Sequence, residues 1–215
     1  MNKTDFIEFM LASDVLRFGD FVTKSGRQTQ YFVNTGNYRT GAQISTLAKY
    51  YAELITETVG SDFDAMFGPA YKGIPLVTAV AASLYSNFGI DKPYFFNRKE
   101  AKDHGEGGSL VGYKPKDGDK IIIIEDVITA GTAVRETLPI LFDAAKVEVN
   151  NIFISVNRCE KGLSEKTATQ EIFEQYGIKV NSVVNVCDVH NYLLQKAQTE
   201  LAKKMEDYME KYCIV

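Results

Sequence analysis

Two adjacent carboxylates, Glu125 and Asp126, stand between a strongly apolar run and a turn rich in small and hydroxylated residues. The run at 121–124 is four consecutive isoleucines, and such β-branched residues predict a fully buried strand of a parallel sheet. In an open α/β sheet, ligands bind beyond the carboxyl ends of the strands, which is where this strand would deliver both carboxylates. Carboxylates at that position suit vicinal hydroxyl groups or a magnesium ion.

The turn that follows contains Thr129, Ala130, Gly131 and Thr132 and leads into a predicted helix. A helix N-terminus with unpaired backbone amides and threonine hydroxyls binds a phosphate dianion well. The alternative is that the acidic pair caps the helix and the threonines fill a turn. Taken together, carboxylates for hydroxyl groups beside a cradle for phosphate predict a sugar phosphate as the ligand.

A basic turn precedes an aromatic strand near the N-terminus. Lys24 belongs to the turn 24–27, and Tyr31, Phe32 and Val33 follow it as a predicted strand. One interpretation places Lys24 on a phosphate or carboxylate and the strand against a planar ring. The alternative is a solvated lysine and an ordinary aromatic strand, which is the more common arrangement in proteins.

Two more basic residues fall at predicted strand ends. Lys72 lies in the loop 68–75, whose glycines permit close backbone approach, although an exposed lysine is the alternative. Arg158 follows the apolar stretch 147–157, at the same predicted edge of the sheet as Asp126. Its guanidinium could pair with a carboxylate or with the carbonyl edge of a base, whereas the alternative is a surface ion pair with Glu160.

The segment 98–108 concentrates Arg98, Lys99, Lys102 and His104 ahead of a glycine-rich stretch. A mobile basic loop has a chemical reason if an anionic leaving group must be held only while it is bound, so the segment predicts a lid with glycine hinges. The alternative is a solvated hairpin tip.

The stretches 24–34, 68–73, 98–108 and 121–132 together resemble type I phosphoribosyltransferases, and the first and third resemble orotate phosphoribosyltransferases in particular. Neither a P-loop nor a dinucleotide-binding glycine pattern is present. The resemblance covers roughly the whole chain and departs at Val33, where that family has a second phenylalanine. It implies transfer of the 5-phosphoribosyl group from 5-phosphoribosyl-1-diphosphate (PRPP) to orotate, giving orotidine 5′-monophosphate and pyrophosphate in pyrimidine (UMP) biosynthesis.

The resemblance also implies roles for individual residues. The implied catalytic residues are Asp126, Lys102, His104 and Lys72. The residues implied to bind PRPP are Lys24, Tyr71, Lys72, Arg98, Lys99, Lys102, His104, Glu125, Asp126, Val127, Ile128, Thr129, Ala130, Gly131, Thr132 and Ala133. The residues implied to bind orotate are Phe32, Val33, Thr129 and Arg158.

Magnesium and a second copy of the chain are the further partners that the resemblance implies. Mg²⁺ would be held through PRPP with no direct protein ligand, and Glu125 and Asp126 would reach it through water. In a homodimer the basic lid would complete the site of the partner subunit. The sequence identifies no strong general base: either orotate reacts with its nitrogen already deprotonated, or His104 handles a proton on the pyrophosphate.

Composition limits the class of protein. The 215 residues, 45% hydrophobic and 24% charged, suffice for one large core, so we predict a single domain over 1–215 with a hood at 1–40. A net charge of −4 argues against a nucleic-acid surface. Three cysteines without a Cys-x-x-Cys pair, together with the lack of a signal-like N-terminus or an 18-residue apolar run, predict a cytoplasmic protein that does not bind membranes.

The elements that position these residues alternate between strands and helices. Strands are predicted at 64–67, 93–97, 121–124, 147–157 and 180–186, with helices beginning near Thr4, Thr40, Leu76, Ala133, Thr167 and Asp188. The last helix is predicted as a single long one, and a tight hairpin turn is predicted at Gly19 and Asp20. This order predicts an α/β fold, a doubly wound and mostly parallel sheet flanked by helices, with a small N-terminal hood.

Two other functions remain open from sequence. A phosphoribosyltransferase for a purine or another base would not depend on Arg158. A regulator that senses PRPP without catalysis would bind PRPP and show no turnover. The complete set of lid residues favours the enzyme that acts on orotate.

Overall fold

The computed structural model describes residues 1–23, 26–99, 109–128, 131–162 and 165–215. Its strands are β1 (Leu16–Val22), β2 (Gln28–Val33), β3 (Ala65–Gly68), β4 (Tyr94–Asn97), β5 (Leu110–Gly112), β6 (Lys120–Ile124), β7 (Glu148–Asn157) and β8 (Lys179–Asn185). Six of them form a sheet in the order β5-β4-β3-β6-β7-β8, in which β5 pairs antiparallel with β4 and the other pairings are parallel. The strands β1 and β2 form a separate antiparallel pair within the segment 1–40 that was predicted as the hood.

Helices cover both faces of the six-stranded sheet. They are α1 (Lys3–Ala12), α2 (Gly41–Val59), α3 (Gly73–Phe88), α4 (Thr132–Ala144), α5 (Ala168–Tyr176), α6 (Val186–Gln195) and α7 (Thr199–Tyr212), with a short 3-10 helix at Thr35–Asn37. In β6, Ile122 and Ile124 join the hydrophobic cluster built with α1, α2, α3, α6 and α7, whereas Ile121 and Ile123 join the cluster built with α4 and α5. Burial on both faces confirms the predicted doubly wound sheet.

Local capping chemistry sets where the helices begin. Thr40 caps α2 through a capping box with Gln43, in agreement with the predicted start. The prediction that Thr4 caps α1 was wrong, because the Asn2 side chain two residues earlier accepts a hydrogen bond from the Thr4 amide at 3.0 Å. No helix within the described residues is both long and apolar enough to cross a membrane.

The hood hairpin differs from its prediction. Strand β1 continues through Gly19 and Asp20, and the chain reverses beyond the pair Val22 and Gln28 instead. The register shifts between Phe18 and Phe21, so the two residues predicted as a turn form a bulge. Gly19 has a φ of 156°, a conformation that glycine tolerates, which lets the strand accommodate the one extra residue.

The C-terminal region is two helices rather than one. The helical conformation is interrupted between α6 and α7, where Ala197 adopts a φ of 54°. After α7, the Ile214 amide donates to the Cys159 carbonyl at 2.9 Å and the Lys161 amide donates to the Tyr212 carbonyl at 2.8 Å. The C-terminus is thereby tied to the loop that follows β7.

Candidate active site

Three chain segments meet at the carboxyl end of β6. Asp126 follows this strand, Lys72 comes from the loop between β3 and α3, and Thr35 comes from the 3-10 helix after β2. The Lys72 ammonium lies 2.9 Å from Asp126 Oδ2 and 3.2 Å from Thr35 Oγ1, and the Thr35 hydroxyl donates to Asp126 Oδ2 at 2.5 Å. The structure therefore brings the predicted residues Asp126 and Lys72 together.

The two neighbouring carboxylates occupy different environments. Asp126 faces a cavity of about 430 Å³ that Thr35 and Lys72 also line, whereas Glu125 is 8% exposed. Burial, reinforced by the charge of Asp126, raises the pKa of Glu125 to about 8. Burial also acts to raise the pKa of Asp126, but hydrogen bonds from Thr35 and Lys72 outweigh it and leave that pKa lowered. One carboxyl group thus favours the neutral form while the other stays ionised.

Backbone contacts hold Asp126 in place. Its carbonyl accepts hydrogen bonds from the Ser155 amide at 2.9 Å and the Ser155 hydroxyl at 2.7 Å. Its Oδ1 accepts from the Val127 amide at 2.8 Å, and its own amide donates to Glu125 Oε1 at 2.9 Å. The Tyr51 hydroxyl anchors the Glu125 carbonyl at 2.7 Å. These contacts fix the orientation of the Asp126 carboxylate.

The predicted phosphate turn is described only in part. Thr129 and Ala130 lie outside the described residues, and Gly131 adopts a φ of 73° immediately before α4. This left-handed conformation favours glycine, and Thr132 with Ala133 forms the exposed first turn of the helix. The side chains of Val127 and Ile128 are at least partly buried against the core.

The loop between β3 and α3 requires glycine where it passes closest to itself. A Cβ atom added to Gly68 would lie 2.3 Å from the Gly73 carbonyl oxygen, and Asn97 Oδ1 accepts from the Ala70 amide at 2.8 Å. This tight course exposes Tyr71 and Lys72 at the sheet edge.

The first residues of the predicted lid approach this loop. The Lys99 ammonium lies 5.2 Å from the centre of the Tyr71 ring, within the range of a cation–π contact. The Arg98 amide donates to the Ser109 carbonyl at 2.7 Å, which joins the two ends of the lid segment. Lys102 and His104, like Lys24 in the hood, lie outside the described residues.

The predicted orotate residues separate into two groups. Arg158 lies beside the buried Tyr31 of β2, with its guanidinium carbon 4.3 Å from the ring centre. Side chains alternate along a strand, so Phe32 points to the opposite face, where its ring packs 5.6 Å from Phe21. Val33 falls on the Tyr31 side and is partly buried. The side chains of Phe32 and Arg158 are therefore not brought together.

Sequence reasoning missed Thr35. Its hydroxyl reaches Asp126 because the hood folds back over the edge of the sheet, a contact between residues 91 positions apart. The available signal was a hydroxyl residue in the turn-forming string Asn34-Thr35-Gly36 directly after an aromatic strand. The alternative for Arg158 was a surface ion pair with Glu160, and that pair does form, at 2.6 Å, but it is largely enclosed.

The chain is similar to phosphoribosyltransferases in both sequence and structure. The Phosphoribosyl transferase domain family matches residues 35–189. The chain is 51% identical over 213 residues to an Orotate phosphoribosyltransferase of Clostridium acetobutylicum, covering 98% of this chain and 95% of that protein. It is 48% identical over 217 residues to one of Clostridium beijerinckii, covering 98% and 97%. The crystal structure of Orotate Phosphoribosyltransferase from Francisella tularensis has a TM-score of 0.89 at 39% identity, covering 98% of this chain and 100% of that one.

Proposed function

The chain belongs to the orotate phosphoribosyltransferase family, and from this premise we propose how its site transfers the 5-phosphoribosyl group from PRPP to orotate. The enzyme is a pentosyltransferase of pyrimidine biosynthesis, with orotidine 5′-monophosphate and pyrophosphate as products. Family membership sets aside the purine-type and purely regulatory alternatives. The observation that carries the proposal is the cluster of Asp126, Lys72 and Thr35 at the carboxyl end of β6, facing a cavity.

Asp126 binds the ribose hydroxyls of PRPP in this proposal. Its lowered pKa keeps the carboxylate ionised at neutral pH, and an ionised carboxylate accepts two hydroxyl hydrogen bonds strongly. The same negative charge stabilises the positive charge that develops on the ribose as the anomeric carbon loses pyrophosphate. Glu125 supports Asp126 rather than contacting the substrate. Its carboxyl group accepts a hydrogen bond from the Asp126 amide and does not line the cavity.

Lys72 stabilises the leaving pyrophosphate. Its side chain is 60% exposed and contacts Asp126 and Thr35 at the surface, so it can turn toward an arriving anion without losing buried contacts. Tyr71 precedes it in the same loop, the Lys99 ammonium lies 5.2 Å from the centre of the Tyr71 ring, and Arg98 precedes Lys99 at the start of the lid segment. The predicted donors Lys102 and His104 would complete this cationic set from the lid segment.

Magnesium fits the site through PRPP rather than through a protein cage. Among the described residues, no three His, Cys, Asp or Glu side chains come together as a metal site, and Glu125 favours its neutral form. Mg²⁺ commonly keeps several waters and binds through substrate phosphates plus one or two carboxylates, which leaves Asp126 as the natural protein contact. When bound, the ion would neutralise charge on the pyrophosphate.

Arg158 recognises orotate. Orotate carries a carboxylate and two ring carbonyls, all acceptors that match a guanidinium. The Phe32 side chain lies on the exposed face of β2, opposite the face that Arg158 contacts. If both residues contact the base, they would therefore approach it from different directions.

We further propose a cytoplasmic homodimer in which the lid of one subunit completes the site of the other. All three cysteines are free thiols, which suits a reducing compartment. Lys99 lies beside Tyr71, so the described start of the lid segment lies close to the loop 68–75 and at the surface. Sedimentation would test the assembly, and an active mixture of two inactive single-site variants would test sharing of the lid.

The reaction itself is tested by following orotate absorbance with PRPP and Mg²⁺, beside hypoxanthine, guanine, adenine and uracil, with and without a chelator. We expect loss of orotate alone and dependence on Mg²⁺. Turnover of a different base would contradict the assignment of Arg158, and PRPP binding without turnover of any base would contradict catalysis.

A further inference from the structure

The guanidinium of Arg158 is held along one edge. Its Nε donates to Glu160 Oε1 at 2.6 Å, and its Nη2 donates to the Tyr208 hydroxyl at 3.1 Å and to Thr29 Oγ1 at 3.3 Å. The Tyr31 ring covers one face of the group. These contacts come from the hood, the loop after β7 and the C-terminal helix α7, three segments that are distant in sequence.

Glu160 is itself fixed from two sides. The Tyr208 hydroxyl, which accepts from Arg158, donates to Glu160 Oε1, and Arg27 Nη1 lies 3.3 Å from Glu160 Oε2. Burial acts to raise the pKa of Glu160, but the charge of Arg158 and the hydrogen bond from Tyr208 leave that pKa lowered. Glu160 is therefore an ionised acceptor with a fixed orientation.

One nitrogen of Arg158 remains available. A guanidinium has five N–H donors, and within the part of the chain that the structure describes, Nε and Nη2 have protein acceptors whereas Nη1 has none. Glu160 and Tyr208 fix one edge of the rigid, planar guanidinium. Fixing that edge leaves the two N–H groups of Nη1 to a ligand.

We propose that Glu160 and Tyr208 are positioning residues that orient Arg158 so that Nη1 meets an acceptor of orotate. The inference rests on the proposed contact between Arg158 and orotate. Helix α7 contributes no residue to the proposed PRPP site. The inference therefore gives this helix a part in selecting the base. Holding the guanidinium before the substrate arrives reduces the side-chain entropy that binding would otherwise remove.

Tyr208→Phe tests this role with the smallest change, because it removes the hydroxyl and keeps the packed ring. We expect the KM for orotate to rise about fivefold, as for one lost hydrogen bond, while the KM for PRPP and kcat stay within about twofold. Glu160→Gln should raise the KM for orotate further, by about twentyfold, since it removes a charged acceptor. The matched control is Tyr212→Phe, one turn further along α7, whose ring faces Arg27 and Tyr208.

A double-mutant cycle with Arg158→Ala separates the positioning role of Tyr208 from the proposed contact between Arg158 and orotate. If Tyr208 acts through Arg158, the effect of Tyr208→Phe on the KM for orotate disappears once Arg158 is alanine. A full effect in both backgrounds, or an equal rise in the KM for PRPP, would show a general structural role and overturn the inference. An unchanged KM for orotate in Arg158→Ala alone would instead refute the proposed orotate contact, and the inference with it. Thermal melting of each variant identifies any loss of fold.

Discussion

Two ion pairs stand at the ends of neighbouring strands, and they are built in opposite ways. The open pair, Lys72 with Asp126, has a lysine that is 60% exposed on a loop. The enclosed pair, Arg158 with Glu160, has side chains that are only 14% and 20% exposed. Tyrosine rings pack around the pair, and Glu160 also forms an ion pair with a second arginine. The open pair can exchange its partners for a ligand at little cost, whereas the enclosed pair keeps its geometry.

The difference matches the two halves of the reaction. PRPP brings several negative charges and must release some of them as pyrophosphate, so the cations that meet it have to move. Orotate is a rigid, planar acid, and donors held in a fixed orientation distinguish it from bases that lack its carboxylate. We therefore propose that the open pair compensates charge and that the enclosed pair selects the base.

The strongest test of the open pair is Asp126→Asn. We expect kcat/KM to fall by on the order of several hundredfold, because the amide loses the charge that holds the ribose hydroxyls and the developing ribosyl cation. The matched control is Asp62→Asn, which breaks the ion pair of 2.7 Å between Asp62 and Lys120 near the other end of β6. Steady-state kinetics should show a change below about twofold for that control. Equal losses in the two variants would contradict the assigned role.

Arg158→Lys is the sharpest test of the enclosed pair. The substitution keeps the charge but removes the planar fork that reaches Glu160 and Tyr208 together, so we expect the KM for orotate to rise about thirtyfold. The KM for PRPP should stay within about twofold. A variant that binds orotate normally would show that charge alone suffices there, and the contrast between the pairs would be lost.

Lys72→Arg should be the milder exchange. The open pair supplies a point charge rather than a fork, so arginine is expected to reduce kcat/KM for PRPP only about threefold, and Lys72→Gln about fiftyfold. Initial rates at varied PRPP measure both. If arginine were as damaging as glutamine, Lys72 would depend on an exact geometry, contrary to its exposed position.

Much of this arrangement was accessible from sequence. The isoleucines of 121–124 predicted the central strand, and the carboxylates after it predicted the ligand edge, because both follow from local residue type and periodicity. Thr35 and Tyr208 were not accessible, since each acts through a contact that depends on how the hood and α7 fold back on the sheet. The opposite orientations of Phe32 and Tyr31 follow from strand alternation, but which face meets the core is settled by packing.

The inequality of Glu125 and Asp126 was likewise not readable from two adjacent acidic residues, because it depends on burial. Burial and the charge of Asp126 raise the pKa of Glu125 from 4.5 to about 8, so the native protein holds that proton more tightly than the unfolded chain. Its contribution to stability is fully present below pH 4.5 and is lost as pH rises through 8.

Glu125→Gln should therefore gain in melting temperature relative to the wild type between pH 5 and pH 9, by on the order of 10 °C. Glutamine retains the acceptor for the Asp126 amide and has no proton to lose. Melting curves in matched buffers across this range measure the gain. A difference that does not change with pH would show that Glu125 is ionised throughout.

The division of labour between the two pairs is tested most directly by a matrix of initial rates, with orotate and PRPP both varied, for the wild type, Lys72→Gln and Arg158→Lys. We predict that Lys72→Gln changes the constants for PRPP and leaves the KM for orotate within about twofold, while Arg158→Lys does the reverse. If both variants weaken both substrates equally, the two pairs act as one site and the account is wrong.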